Sequence, residues 1–400
     1  MPEGFIRPAY PDFSDLPWSK PLQEWSDYCA RLEDLPRGLS RHPVVFVNYD
    51  GKTFAVKELQ PGLAEKEYFL LDEMEARRLP VVTPVGYFDI SSGERRSSAL
   101  ITRYLDRSLP YRSLFMSNSL IRYRAALLDA IAGLLVQLHL AEIYWGDCSL
   151  SNTLFRRDAG ALQAYLVDAE TAVTYNAIPA AQRFDDLLVM EENVDGDLAD
   201  LSALNLLAED VPVSDTGATI RLRYQRLWEE ITREDTINAG ERYRIQERIR
   251  ALNDLGFSVG EVELTETGAG EQLRLRVMVS DRNFHHDQLH SLTGIDAQER
   301  QARTMMNEIQ ELKATLSSQF NRSTPLSAAA YHWLEQVYRP VVERLRQAGG
   351  PDKDLSEQYC EVLEHKWYLS ERAKHDVGHQ IATEDYLLHF GEKAALESEG

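Results

Sequence analysis

The stretch VVFVNYDGKTFAVKEL, residues 44–59, does most to restrict the fold. Two runs of β-branched and aromatic residues flank Asp50-Gly51, a dipeptide suited to the tight turn that joins two twisted antiparallel strands. A hairpin is therefore expected, with Lys57 on its second strand. Behind it, Pro61 and Gly62 open the helical run LAEKEYFLLDEMEARRL, which Pro80 ends. Three- and four-residue spacing puts Glu67 on the same face as Leu70, Leu71 and Met74. A carboxylate on the buried side of a helix is costly unless paired. Lys57 is the candidate partner. The interval between the two is short, so Glu65 and Glu73 stand as alternative acids for that lysine.

Further strands are expected in VVTPVGYFDI and SSALITRYL, joined by the turn SSGERR, and then a long helix over about residues 118–141. That helix leads into the polar loop YWGDCSLSNTLF, with Asp147 five residues ahead of Asn152. AYLVDA reads as a short buried strand ending at Asp168, and the sequence to about 210 is mainly helical. Taken singly, Asp147 and Asn152 are turn or cap residues and Lys57 is a solvated strand lysine. Their joint order has a chemical reading. A magnesium nucleotide needs a lysine at its phosphates, an acid to place that lysine, oxygen ligands for the metal, and a carboxylate near the incoming hydroxyl.

FAVKEL, WGDCSLSN and LVDAE resemble the strand lysine, catalytic loop and metal-binding acid of the protein-kinase-like superfamily. The lipopolysaccharide and small-molecule kinase branch, whose loop reads Gly-Asp, is the nearer in character. LPRGLSRHPVVFV, EENVDGDLADL, RIRALNDLGFSV and WYLSERAKHDVG resemble a bacterial family of unknown function that joins such a half to a carboxy-terminal extension. The resemblance implies an α+β fold: a small antiparallel β lobe, a helical lobe, then a mostly helical region with a β-hairpin. It implies ATP and Mg2+ as cofactors. Lys57 would contact the phosphates and Glu67 would hold Lys57. Asp147 would orient or deprotonate the acceptor hydroxyl, and Asn152 and Asp168 would ligate magnesium. LITRYL, with Thr102 and Tyr104, would meet the adenine, and Asp186 would anchor the catalytic loop. The chain departs from the pattern in three places: only Gly38 stands where a glycine-rich loop belongs, Trp145 replaces the usual histidine, and Asp-Ala-Glu replaces acid-aromatic-glycine.

At 400 residues, 44% of them hydrophobic and 27% charged, the chain has material for two or three cores. The expected divisions are an arm with a docking helix in LQEWSDYCARLEDL (1–37), the two lobes (38–105 and 106–212) and a helical domain (213–400). A net charge of -21 argues against nucleic-acid partners and disfavours a highly anionic acceptor, although a local basic patch stays open. With no apolar span and no signal pattern, a cytoplasmic protein with no membrane span is expected. Three scattered cysteines suit free thiols in a reducing compartment.

Beyond about 217 the sequence predicts helices to 254, a hairpin around TETGAGE, an amphipathic helix in DAQERQARTMMNEIQELKATL, and another kinked at Pro340. Gly349, Gly350 and Pro351 form a linker-like break. His375 and His379 stand four apart on one predicted helix face, but Asp376 replaces the glutamate of a zinc-protease motif and no third ligand follows. Solvated or core histidines are the better reading. His285, His286 and His290 read as a loop-to-helix cap. Two functional classes remain. One is an ATP- and magnesium-dependent kinase acting on a small-molecule, glycan, lipid or protein hydroxyl. The other is a pseudokinase whose carboxy-terminal half supplies a surface for a protein partner.

Overall fold

The computed structural model describes residues 3–35, 42–92, 95–116, 123–207, 214–238, 241, 243–266, 272–349 and 354–390. The chain divides into two compact units, 1–156 with 162–230 and 157–161 with 231–400. Gly38 and the centre of the TETGAGE turn, both singled out above, lie outside the described residues, as does most of the Gly349–Pro351 break.

The first unit is built on a six-stranded antiparallel sheet. It uses β1 (Glu3–Ile6), β2 (Leu32–Glu33), β3 (Val44–Tyr49), β4 (Lys52–Leu59), β5 (Pro84–Ser92) and β6 (Arg95–Arg103), in the order β1-β5-β6-β4-β3-β2. Asp50 and Gly51 both take left-handed φ, 52° and 76°, as the hairpin turn requires. The turn fixes the register, with Val44 opposite Lys57 and Phe46 opposite Ala55. Side chains alternate across a strand, so Val45, Val47, Phe54 and Val56 share one face while Val44, Phe46, Ala55 and Lys57 share the other. The first face is covered by the amino-terminal arm, whose Phe13, Leu16, Trp18, Leu22 and Trp25 are buried with it. The arm does dock, but its helix is a short 3₁₀ segment, Leu22–Asp27, instead of the longer run expected. After it the chain extends so that Leu32 pairs with Val47.

Helix α1 (Leu63–Ala76) lies against β5 and β6 and buries Glu67, Tyr68, Leu71 and Met74. The rest of the unit comprises β7 (Leu109–Pro110), α2 (Tyr111–Met116), α3 (Arg124–Leu140), β8 (Ile143–Tyr144), β9 (Thr153–Asp158), β10 (Ala161–Leu166), β11 (Val173–Thr174), α4 (Ala180–Ala203) and most of α5 (Thr216–Thr232). Helix α3 is buried almost all round, as its continuous apolar run dictates.

In the second unit, β12 (Asp235–Asn238), β13 (Val259–Glu266) and β14 (Gln272–Val279) form a sheet in the order β12-β14-β13, with α6 (Tyr243–Asp254) between β12 and β13 in the chain. Strand β12 interrupts a stretch read as helical: it buries Ile237 and pairs it with Leu273. Then come α7 (Phe284–Thr293), α8 (Glu299–Gln319), α9 (Leu326–Trp333), α10 (Arg339–Gly349), α11 (Leu355–Ala373) and α12 (Gly378–Phe390). Between α9 and α10 the expected distortion at Pro340 takes the form of one π-helical turn, Leu334–Tyr338, since proline cannot supply the next N–H of a regular ladder. Met305, Met306, Ile309, Trp333, Tyr359 and Val362 are among the buried residues of the core.

One histidine expectation, the shared helix face of His375 and His379, is corrected here. Lys374, at φ 58°, ends α11, so His375 lies between helices and His379 lies in the first turn of α12. The two share no helix face; His379 instead bonds Glu308 at 2.7 Å. His285 and His286 sit inside the first turn of α7, where Glu299 accepts from both backbone N–H groups. No helix of the described residues is long and apolar enough to cross a membrane.

Candidate functional site

Lys57 projects from β4 to the face of the sheet opposite the amino-terminal arm, where it meets α1. Its Nζ lies 3.1 and 3.0 Å from the two oxygens of Glu67 and 2.7 Å from Asp168 Oδ2. The alternative acids are engaged elsewhere: Glu65 accepts from the Tyr87 hydroxyl, and Glu73 accepts from Arg77 and Thr174. Burial alone would lower the Lys57 pKa, but Glu67 and Asp168 together hold it above its usual value. Burial pushes the Glu67 carboxyl up to about 7 against the pull of Lys57, and the Asp168 charge adds to the rise. One cation shared between two carboxylates leaves excess negative charge in a dry place, which accounts for both shifts.

Asp168 follows β10, next to an isolated bridge between Val81 and Leu166. The Asp-Ala-Glu segment is tied down along its length. Ala169 N–H donates to Glu67 Oε1 at 3.1 Å, Lys66 donates to the Glu170 carbonyl at 3.0 Å, and the Glu170 side chain faces His42 Nε2 at 3.2 Å. Trp145, fully buried, donates its indole N–H to the Asp168 carbonyl at 2.8 Å and so ties the Asp147 loop to the Asp168 loop.

The loop itself is held from α4. Asp186, with no exposed surface, accepts the N–H groups of Trp145 and Gly146 at 2.8 Å each and faces His139 Nε2 at 3.0 Å. Gly146 has φ 77°, and a Cβ there would meet the Tyr144 ring at 2.7 Å, so glycine is required beside Asp147 on two counts. Asn152 donates to the backbone carbonyl and to Oδ2 of Asp147, both at 3.0 Å, while Asn193 on α4 donates to Asp147 Oδ1 at 3.0 Å. Each oxygen of Asp147 thus takes one amide donor. Asp197, one turn further along α4, accepts from Ser151 N–H at 3.1 Å.

Two cavities meet here. One, of about 330 Å³, has apolar walls including Val44, Ala55, Val82 and Val167, with Lys57 in its lining. Thr102, Arg103, Tyr104 and Leu105 line its edge, but the N–H groups of Arg103 and Tyr104 already donate to Thr83 and Thr53 carbonyls. The other, of about 500 Å³, is polar: Asp147, Asp168, Glu170, Glu192, Asp197 and Asp200 line it, and His42 is its one basic lining residue among those described. Both cavities are bordered by Asn152 and Asp168. With its amide nitrogen committed to Asp147, Asn152 presents its carbonyl oxygen as an acceptor, and Asp168 presents a carboxylate. Such hard oxygen donors suit Mg2+. Cys148 is buried, and burial pushes its thiol well above the usual range, which makes it a packing residue.

EENVDGDL reads as a charged segment that lines or braces the cleft, but the sequence does not single out Asn193 and Asp197 within it, nor the bridging role of Trp145. A signal was present for the first two. Asp186, Met190, Asn193, Val194, Asp197 and Leu198 form one helical stripe of α4, so its polar members interrupt an apolar face directed at the loop.

Comparison with known proteins agrees with this geometry. Residues 53–205 match the model of the lipopolysaccharide kinase (Kdo/WaaP) family, and residues 226–390 match that of a domain of unknown function, DUF4032. No curated protein matches the chain. Among solved structures, the chain is similar to one titled "WaaP in complex with acyl carrier protein", at 17% identity and a TM-score of 0.36, over 63% of this chain and 98% of that one. It is also similar to the BubR1 kinase domain, at 15% identity and a TM-score of 0.29, covering 38% of this chain and about half (49%) of that one. Both TM-scores lie below 0.5, and the resemblance rests on the two family models. The chain joins an α+β kinase-like half of the lipopolysaccharide-kinase type to a domain of unknown function.

Proposed function

We propose that the first unit transfers the terminal phosphoryl group of ATP, with Mg2+, to a hydroxyl acceptor. The observation that carries this reading is the joint placement of Lys57 against Glu67 and Asp168, with Asp147 held between two amide donors in the polar cavity that Asp168 also lines. The apolar cavity suits an adenine ring, and Lys57 faces the space beyond it, where phosphates would lie. Asn152 and Asp168 would hold the metal, which when bound supplies positive charge to the β- and γ-phosphate oxygens.

Asp147 is the group for the acceptor. Its carboxylate takes the proton of the hydroxyl as the acceptor oxygen bonds to the γ-phosphorus and the bond from that phosphorus to the β-γ bridging oxygen breaks, releasing ADP. Asn152 and Asn193 hold the carboxylate in line, and Asp186 holds the backbone beneath it. The carboxylates around the polar cavity disfavour a polyanionic group close to Asp147, so a neutral or cationic hydroxyl compound fits better than a phosphorylated one.

The test is thermal unfolding with and without ATP and Mg2+, on the wild type and Asp168→Ala in parallel. A ligand at 100 times its Kd stabilises by about 2.7 kcal/mol, a rise of several degrees. A magnesium-dependent rise that vanishes in Asp168→Ala is expected. No rise in the wild type at millimolar nucleotide would overturn the reading and leave the pseudokinase alternative.

A further inference from the structure

We propose that the second unit carries a transition-metal site, of the class that takes Zn2+, formed by His365 on α11 with Asp385 and His389 on α12. One ligand atom from each residue lies within 4.8 Å of those of the other two. His365 Nε2 is 2.8 Å from Asp385 Oδ1, and His389 Nδ1 is 3.4 Å from the same oxygen. Ligands about 2.0–2.1 Å from a tetrahedral zinc stand about 3.3 Å apart, so the two measured separations bracket the spacing such an ion imposes. The ligand nitrogens of the two imidazoles also lie within 4.8 Å of each other, so closing the group around a metal calls for side-chain adjustment.

The positions follow from helix geometry. Asp385 and His389 are four residues apart on α12 and therefore share a face, and α11 brings His365 to it. His365 is held from the other side by Tyr386 and Phe390, with ring centroids at 6.2 and 5.5 Å. His389 Nδ1 also rests 2.8 Å from the Asp385 carbonyl. Its side chain is 62% exposed, so a turn of the ring that gives up this bond and its contacts with His365 and Phe390 would present either nitrogen. An ordinary histidine-carboxylate pair would use one imidazole; a second one within reach of the same carboxylate makes an N,N,O donor set. That set prefers Zn2+ and its transition-metal neighbours over Mg2+ or Ca2+, which favour all-oxygen surroundings. Three protein ligands leave a fourth position for water, and the bound ion would clip α12 to α11.

The experiment is isothermal titration of the full chain, stripped with EDTA, against Zn2+ alone, repeated with a large excess of Mg2+. Binding of one equivalent, unaffected by Mg2+ and weakened at least tenfold in both His365→Ala and His389→Ala, is expected. His290→Ala, which breaks the stacked His286–His290 pair elsewhere in the unit, should bind as the wild type does. Because His389 lies at the surface, its variant should fold normally even if His365→Ala does not. No zinc binding, binding unchanged in His389→Ala, or binding lost in His290→Ala would each overturn the proposal.

Discussion

Replacing Asp186 tests how the catalytic loop is held. In the wild type its two oxygens accept from Trp145 and Gly146 and face His139, whose other ring nitrogen bonds the Tyr224 hydroxyl at 2.7 Å. Asp186→Ala strips the acceptor from two backbone N–H groups and from the imidazole at a place closed to water. An unsatisfied buried polar group costs roughly 1–3 kcal/mol, and two backbone N–H groups and an imidazole nitrogen lose their acceptor together, so even with partial local rearrangement a loss of about 3–5 kcal/mol is expected. At roughly 2–4 °C per kcal/mol for a unit of this size, the melting transition of the first unit should fall by about 10 °C. Scanning calorimetry reads it, with magnesium-dependent nucleotide stabilisation followed in the same samples. Asp186→Asn keeps one acceptor oxygen but turns an amide donor towards the other N–H, so it should fall between alanine and wild type. An Asp186→Ala protein melting within a degree of wild type would refute the reasoning, since an acid in that position cannot be removed without cost.

The remaining predictions concern the buried acids and the second amide. Asn193→Ala frees one oxygen of Asp147 without touching Lys57 or Asp168, so phosphoryl transfer should slow roughly tenfold or more, while stabilisation by ATP and magnesium persists; loss of that stabilisation would contradict the assignment. Glu67, raised to about 7, holds its proton more tightly folded than unfolded. Its stabilising contribution is therefore full below about pH 4.5 and lost as pH rises through about 7. Glu67→Gln should flatten the decline in unit 1 stability between pH 5 and 8 by on the order of 1–3 kcal/mol, read from urea unfolding. Burial likewise raises Glu357 to about 7 against bonds from Gln301 and Ala159, and its Oε1 has no hydrogen-bond partner among the described residues. Glu357→Gln should therefore stabilise the second unit at pH 8 relative to pH 5; equal effects at both values would rule this out.

The hairpin and Glu67 were legible because both are short-range. Asp50-Gly51 closes a local turn, and Glu67 shares a helix face with its neighbours in sequence. Strand β12 was not legible: four residues carry too little period to reveal a pairing with β14, which lies far along the chain. The 3₁₀ segment at Leu22–Asp27 was overestimated for a related reason, since the residues after it extend to meet β3, and that choice belongs to the sheet. Asn193 carries no mark of its role except the polar break in an otherwise apolar stripe.

By itself the sequence determined the alternation that sends Lys57 to one face and Val56 to the other, the helix that buries Glu67, and the order Lys57, Glu67, Asp147, Asn152, Asp168. Those follow from backbone periodicity and turn chemistry, which act over a few residues. Only the tertiary structure decided that Glu67 rather than Glu65 or Glu73 meets Lys57, that Asn193 clamps Asp147, that Trp145 ties the two loops, and that His365 meets Asp385 while His375 bonds the carbonyl of Ala373, two residues away. Each of these depends on which surfaces of separate elements meet, or on a helix break, and such contacts are set by packing the whole core.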